Sequence, residues 1–141
     1  MFIFNVQNHR DGTPGLNLHL TQRSNDIALG IPYNIAGYSF LLELFSHFTG
    51  FRPDIFAQTL VDAHIYTAKA DGSMAENDHV PGLREQLLRT PRKLPRLRIS
   101  DDVRSLADIE ALLQEDTDTV MSHFELEGYD PYPAIRFKVA V

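Results

Sequence analysis

An arginine, a serine and an aspartate stand together where a predicted strand ends, in the stretch QRSND at residues 22–26. A guanidinium group and a neighbouring hydroxyl group can both donate hydrogen bonds to a phosphate, and a charge-assisted bond contributes about 1.5–3 kcal/mol. Arg23 and Ser24 therefore predict a phosphate site. The alternative is a surface arginine followed by a turn-forming serine, and the residues by themselves leave both interpretations open.

An asparagine stands at the predicted start of a long helix. Asn34 follows the turn-forming residues Gly30 and Pro32. Asparagine is a common N-cap, because its side chain accepts a hydrogen bond from a backbone N–H of the first turn. Its amide also offers a donor next to an acceptor, which matches the edge of a pyrimidine ring that carries a carbonyl beside an N–H. Asn34 is therefore either a helix cap or a residue that reads a pyrimidine base.

The run DAHIY, residues 62–66, places three polar side chains in a predicted strand. Because strand side chains alternate, Asp62, His64 and Tyr66 share one face, and the apolar residues beside them share the other. Buried polar groups need hydrogen-bond partners or a ligand. The three residues predict either a polar network that satisfies itself or a site in which His64 and Tyr66 hold a sugar hydroxyl group.

Other reactive groups are scarce. No cysteine occurs in the 141 residues, which excludes disulfides, thiolate metal sites and a cysteine nucleophile within them. The other histidines lack the HExxH spacing of a zinc site, and no glycine-rich phosphate loop or serine elbow occurs. We therefore predict that the protein binds no metal.

The composition predicts one globular domain over residues 1–141. Hydrophobic residues make up 43 % of the chain, and the formal net charge of −6 argues against a nucleic-acid surface. No apolar run reaches the roughly 20 residues that span a membrane, and the first residues do not resemble a signal peptide. These features predict a cytoplasmic protein. Because the chain begins directly on a strand of core quality, we expect further residues to precede Met1.

Periodicity predicts strands and helices around one long helix. Residues 1–6 and 16–22 alternate like strands and are joined by turn residues, which predicts a hairpin. Residues 34–49 are apolar on most sides of a helix, which predicts burial on most sides and an end at Gly50. Residues 55–67 follow as a predicted strand.

The second half predicts shorter elements. Residues 68–82 are polar and predict a surface loop, and residues 83–89 predict a short helix closed by a proline. Residues 95–100 predict a strand, and residues 105–115 predict an exposed amphipathic helix. The tail from residue 124 opens like a strand and turns at GYDPYP. Mixed strands and helices around one buried helix predict an α+β fold.

Four stretches of the chain together resemble the C-terminal half of the thymidylate synthase family, in the same order and over nearly the whole chain. They are QRSNDIALGIPYNIAGYS, DAHIY, LREQLLRTPRKLP and FELEGYDPYPAIRFKVAV. The resemblance implies a thymidylate synthase-like α+β fold, in which a mixed β-sheet packs on a long buried helix. It also implies the reductive methylation of dUMP to dTMP by a homodimer, with 5,10-methylenetetrahydrofolate as co-substrate and no metal.

The resemblance assigns the polar residues described above to dUMP. Arg23 and Ser24 match the residues that grip its phosphate, and Asn34 matches the residue that reads the uracil edge. His64 and Tyr66 match the pair that holds the ribose hydroxyl group. The whole implied dUMP site consists of Arg23, Ser24, Asn25, Asp26, Asn34, His64 and Tyr66.

The resemblance also implies a folate pocket. Asp26 matches the residue that faces the pterin and helps to position the nucleotide, so Asp26 and Asn34 are the implied supports of catalysis. The chain end, Ala140 and Val141, matches a lid that closes over the ligands. The implied folate site consists of Asp26, Leu29, Gly30, Tyr33 and Ala140.

The chain departs from the family pattern in two places. The family's nucleophile is a cysteine in a Pro-Pro-Cys-His run, which this chain does not contain. Because covalent catalysis of this type begins with the attack of a thiolate, we expect the chain alone to be inactive. Residues 67–82 form a longer loop than in compact family members and predict a surface insertion.

Two other functions remain open at this point. A nucleotide hydroxymethylase of the same fold would use water in place of the hydride, although Asn34 favours uracil because family members that act on cytosine favour aspartate there. A non-catalytic, truncated or split protein would bind the nucleotide without forming either product.

Overall fold

The computed structural model describes residues 1–139, which begin with a β-hairpin. Strand β1 (Phe2–Asn8) pairs antiparallel with strand β2 (Pro14–Asp26). The turn between them includes Gly12, whose φ of +80° lies in the region that favours glycine. The predicted hairpin is confirmed, and β2 continues beyond its predicted end through Asp26.

The extension of β2 is explained by its second neighbour in the sheet. Helix α1 (Gly30–Thr49) leads from β2 to strand β3 (Arg52–His64), which lies parallel to β2. The three strands form a sheet in the order β1-β2-β3. Gly50 ends α1 as predicted, because it adopts a φ of +71° and donates its N–H to the carbonyl of Ser46 at 2.9 Å.

The hydrophobic core lies between this sheet and the second half of α1. The ring of Phe4 packs against Phe45 with centroids 4.8 Å apart, and Tyr38 stacks on Phe56 at 6.3 Å. These contacts place one face of all three strands against the helix. The buried residues at the centre of the core are Leu16, Leu18, Leu20 and Leu42.

The prediction that α1 is buried on most sides is wrong for its first half. Tyr33 is 77 % exposed, and Ile35 and Phe40 are also exposed. Residues 1–139 cover the side of the helix that faces the sheet, and an apolar helix is buried only where a neighbouring element covers it. The helix also begins earlier than predicted, with Leu29 at the N-cap position, so Asn34 is not the cap.

The second half of the chain contains short elements. Strands β4 (Arg96–Ile99) and β5 (Phe124–Glu127) pair antiparallel in a second sheet, so the predicted α+β class is confirmed. A 3₁₀ turn (Ala75–Asn77) precedes the second helix. The remaining elements are α2 (Val80–Leu87), α3 (Leu106–Leu112) and α4 (Thr117–Ser122).

The helices of this half differ from the sequence prediction in their bounds and number. Helix α2 begins at Val80, so the last residues of the predicted loop 68–82 are helical, and His79 directly before them is buried. Helix α4 was not predicted. Its N-cap is Asp116, whose carboxylate accepts a hydrogen bond from the Thr119 N–H at 2.9 Å. No helix within residues 1–139 combines the length and apolar character needed to cross a membrane.

Candidate active site

The carboxyl ends of two parallel strands bring Asp26 and His64 together. These two residues are register partners at the end of β2 and β3, and the Ile27 N–H donates a hydrogen bond to the His64 carbonyl at 3.0 Å. In the same ladder Ser24 lies opposite Asp62. Residues from separate parts of the chain therefore meet at one edge of the sheet, which is where open parallel sheets often bind ligands.

The Asp26 carboxylate is held at the start of α1. Its Oδ1 accepts hydrogen bonds from the backbone N–H groups of Ala28 at 2.9 Å and Leu29 at 3.4 Å. A Cβ atom added to Gly30 would lie 3.6 Å from the Asp26 Cβ and 3.9 Å from the Asn34 Nδ2. Gly30 therefore lies next to both the Asp26 and the Asn34 side chains.

His64 and Tyr66 lie side by side, as predicted. Their rings meet edge to face with centroids 5.1 Å apart, and His64 Nδ1 lies 3.6 Å from Asp62 Oδ2. The Asp62 side chain is 68 % exposed, and Tyr66 is also exposed. The three side chains therefore do not form a buried network.

Three neighbouring residues of β2 face different directions. Arg23 and Ser24 are both exposed, but successive strand residues point to opposite faces, so β2 does not aim them at one point. Within residues 1–139 no side chain or backbone group forms a hydrogen bond or ion pair with the Arg23 guanidinium group. Asn25 is 1 % exposed and its Oδ1 has no hydrogen-bond partner in the described part of the chain.

Besides Asp26 at the end of β2, the predicted folate residues in the described range lie at the start of α1. Leu29 is the N-cap and is half-buried, Gly30 adjoins Asp26, and Tyr33 extends into solvent. Ala140 and Val141 lie outside the described residues. Within residues 1–139 no three acidic or histidine side chains are grouped as a metal ion would need them.

Comparison with known proteins assigns the chain to a family. The family model described as thymidylate synthase matches residues 1–141. The chain belongs to the thymidylate synthase family. It is 35 % identical over 138 residues to the thymidylate synthase of Saccharomyces cerevisiae, an alignment that covers 98 % of this chain and 39 % of the yeast protein. The chain therefore spans about two fifths of the length of that curated relative.

The sequence analysis of this thymidylate synthase family member missed one residue at the site. His79 is 1 % exposed, and its Nδ1 lies 3.6 Å from Asp26 Oδ1. Its ring also meets Tyr66 edge to face at 5.6 Å. The signal that could have revealed it is Pro81, in the first turn of α2. Proline favours the start of a helix, so it predicts a helix that begins at Val80 with His79 as its N-cap.

A pocket of this family member lies away from these residues. It is open to solvent, has a volume of about 730 Å³ between the end of α1 and strand β4, and is lined by none of the predicted site residues. Its walls carry both signs of charge, and burial raises the pKa of Glu43 on one wall. The buried Ser46 hydroxyl on the same side has no hydrogen-bond partner within residues 1–139.

Proposed function

We propose that this chain supplies the nucleotide contacts and part of the folate pocket of a thymidylate synthase. The reaction is the methylation of dUMP to dTMP, with 5,10-methylenetetrahydrofolate as the source of the one-carbon unit and the hydride. The observation that carries the proposal is the meeting of Asp26, Asn34 and His64 at the ends of β2 and β3 and the first turn of α1. Membership of the family supports it.

The base and the ribose of dUMP are bound by different elements in this proposal. The Asn34 amide is not used to cap α1, so its donor and acceptor remain available for the uracil edge. His64 and Tyr66 on the neighbouring strand end hold the ribose hydroxyl group. Asp26 stays in one orientation because two backbone N–H groups bind its carboxylate, so it can position the nucleotide without moving.

The phosphate is bound by Arg23 and Ser24 in this proposal, with Asn25 beside them in the chain. Both side chains are exposed near the end of β2, where a phosphate could reach them. A guanidinium group without an internal partner among the described residues loses no existing ion pair when it binds an anion. Asn25 acts here from its buried position, by supporting the strand end.

The folate side of the site consists of Asp26, Leu29, Gly30 and Tyr33, and Ala140 belongs to the same proposal. The exposed Tyr33 ring provides an apolar surface in the first turn of α1, and Gly30 in the same turn adjoins Asp26. This combination of a flat ring and a hydrogen-bonding acid fits a pterin. Residues 67–82 remain a predicted insertion, and His79 within them adjoins Asp26.

Product analysis tests the reaction type. An active enzyme that contains this chain should form dTMP and dihydrofolate from dUMP and methylenetetrahydrofolate. Formation of a hydroxymethylated nucleotide with tetrahydrofolate would instead assign it to the hydroxymethylases. Binding of dUMP without either product would make the chain a nucleotide-binding protein.

Substitution of Arg23 tests the phosphate site. Arg23→Ala should weaken the binding of dUMP by roughly 10- to 100-fold, the size of a lost charge-assisted bond. It should lower the affinity for dCMP equally, because dUMP and dCMP carry the same phosphate. The affinity for deoxyuridine, which has no phosphate, should stay unchanged. Calorimetric titration measures all three.

The matched control is Arg52→Ala, which removes an exposed arginine from the opposite end of the same parallel strand pair. It should leave the three affinities within about twofold of their original values, because it lies outside the proposed site. An equal loss of dUMP and deoxyuridine affinity in Arg23→Ala would contradict the phosphate assignment.

We also propose that the protein forms a homodimer through the outer face of the sheet, which is the face turned away from α1. This face carries Ile3, Ile55 and Val61, all more than half exposed, and Val61 is 68 % exposed. Burial of these three apolar side chains favours association.

A charge on this face tests the dimer. Val61→Asp should weaken self-association by about 2 kcal/mol, roughly 30-fold, because it places a carboxylate in the apolar contact. Sedimentation at micromolar concentration measures the change. Leu87→Asp is the control, since Leu87 is equally apolar and 85 % exposed but lies on α2. A monomeric unsubstituted protein, or equal effects of both substitutions, would rule out this interface.

A further inference from the structure

The middle strand of the three-stranded sheet carries a histidine on the outer face. Leu18 and Leu20 are buried on the side of α1, so strand alternation directs His19 between them to the opposite face, where it is exposed. Its register partners are Ile3 on β1 and Ala57 on β3. This row of three residues therefore crosses the face through which we propose that two copies associate.

A hydrogen bond holds the His19 imidazole on this face. Its Nε2 lies 2.9 Å from the Thr59 Oγ1 on β3. A threonine hydroxyl group can donate or accept, so the bond can form with the neutral ring and with the protonated ring alike. Protonation therefore does not break the bond, and its effect on association depends on the charges that surround the ring.

The charges closest to His19 on this face are positive. Alternation along β2 places Arg23 on the same face. On the side of β1, the ammonium group of Met1 donates a hydrogen bond to the Thr21 carbonyl at 3.1 Å. On the side of β3, the residues that alternate onto this face between 55 and 63 are all uncharged. Neither neighbouring strand thus offers an anion to a protonated His19.

The carboxylates of the three strands are directed elsewhere or already engaged. Asp26 and Asp62 alternate onto the side of α1, opposite to His19. The third, Asp54, has its Oδ2 3.0 Å from His9 Nε2, and the pair lies over Gly15, four residues before His19 on β2. The described residues of this face therefore provide no free carboxylate.

We propose that the homodimer assembles with His19 neutral and is weakened when His19 takes up a proton. The inference rests on the proposed homodimer. A two-fold contact brings the same face of both copies together, so each copy buries one His19 and neither copy supplies a free acid to it. Burial without an anion disfavours the charged ring, whereas the exposed ring of the free monomer accepts the proton. Association therefore releases protons at low pH and weakens as the pH falls.

Sedimentation equilibrium at two pH values measures this effect. A histidine side chain in water is half protonated at about pH 6.5, so the exclusion of one proton from each copy should weaken dimerisation about 100-fold between about pH 7.5 and about pH 5.5. The overall charge predicts the opposite sign. The formal net charge is −6 with all six histidines neutral, so their protonation lowers the repulsion between copies.

Substitution by glutamine assigns the effect to one histidine. His19→Gln keeps an amide that can bond to Thr59 but cannot take up a proton, so its dimer should have the same affinity at both pH values within about threefold. The matched control is His47→Gln, which makes the same change at an exposed position on α1, away from the outer face. This control should keep the full weakening at the lower pH.

The possible failures have different readings. A dimer that does not weaken at the lower pH, or a His19→Gln dimer that weakens as much as the unsubstituted one, overturns the inference and leaves the homodimer in place. Unfolding at the lower pH would affect all variants alike and would give the second of these results. Loss of the pH dependence in His9→Gln instead would assign it to the Asp54 pair and overturn the role of His19. A protein that is monomeric at both pH values contradicts the proposed homodimer itself.

Discussion

We expect the 141-residue chain by itself to form no dTMP from dUMP and methylenetetrahydrofolate above a buffer control. The reason is chemical, since these residues contain no cysteine and the family's reaction begins with the attack of a thiolate on the pyrimidine ring. The side chains at the proposed site can bind and orient a nucleotide, but a carboxylate, an amide and an imidazole of ordinary reactivity do not replace that thiolate. Release of dihydrofolate and formation of dTMP measure the turnover.

A chimera provides the positive control for this prediction. The chain is fused behind the portion of the yeast relative that precedes the aligned region, so that the fusion contains the family's Pro-Pro-Cys-His run. The fusion should form dTMP, and replacement of its nucleophilic cysteine by serine should abolish turnover while dUMP binding remains. Turnover by the 141-residue chain alone, well above the buffer control, would show that another residue acts as the nucleophile.

The local parts of the fold could be predicted because short-range physics determines them. Turn residues between two alternating runs predicted the β1-β2 hairpin, and Gly50 predicted the end of α1 through its left-handed conformation. The side-by-side arrangement of His64 and Tyr66 was predicted from strand alternation and is observed, although β3 ends at His64 and Tyr66 lies beyond it. Each of these features depends on residues that are close together in the sequence.

The features that could not be predicted depend on distant neighbours. Exposure of the first half of α1 reflects which elements cover it, and no periodicity carries that information. The burial of His79 depends on contacts with Asp26 and with Lys138, 59 residues away in the chain. The juxtaposition of Asp26 with Asn34 followed from the resemblance to the family, not from spacing.

Base recognition is the other feature for which we expect a large effect. Asn34→Asp should change the preference between dUMP and dCMP by about a thousandfold, because it replaces a hydrogen-bond donor by an acceptor and so affects the two bases in opposite directions. The new carboxylate can accept a bond from the cytosine amino group, but it opposes the uracil carbonyl, acceptor against acceptor. The new carboxylate also lies close to the Asp26 carboxylate, since both residues adjoin Gly30. The extra negative charge should therefore lower the affinity for both nucleotides.

The ratio of the two affinities separates base recognition from the other effects of Asn34→Asp. Charge repulsion and any loss of stability act on both nucleotides alike, so only recognition of the base changes the dUMP-to-dCMP ratio. Calorimetric titration of each variant with dUMP and with dCMP measures this ratio. The control is Asn8→Asp, which makes the same chemical change at the exposed end of β1. Arg23→Ala provides the opposite pattern, a loss of affinity with an unchanged ratio. If Asn34→Asp also leaves the ratio unchanged, Asn34 does not read the base, and uracil specificity must come from residues outside this part of the protein.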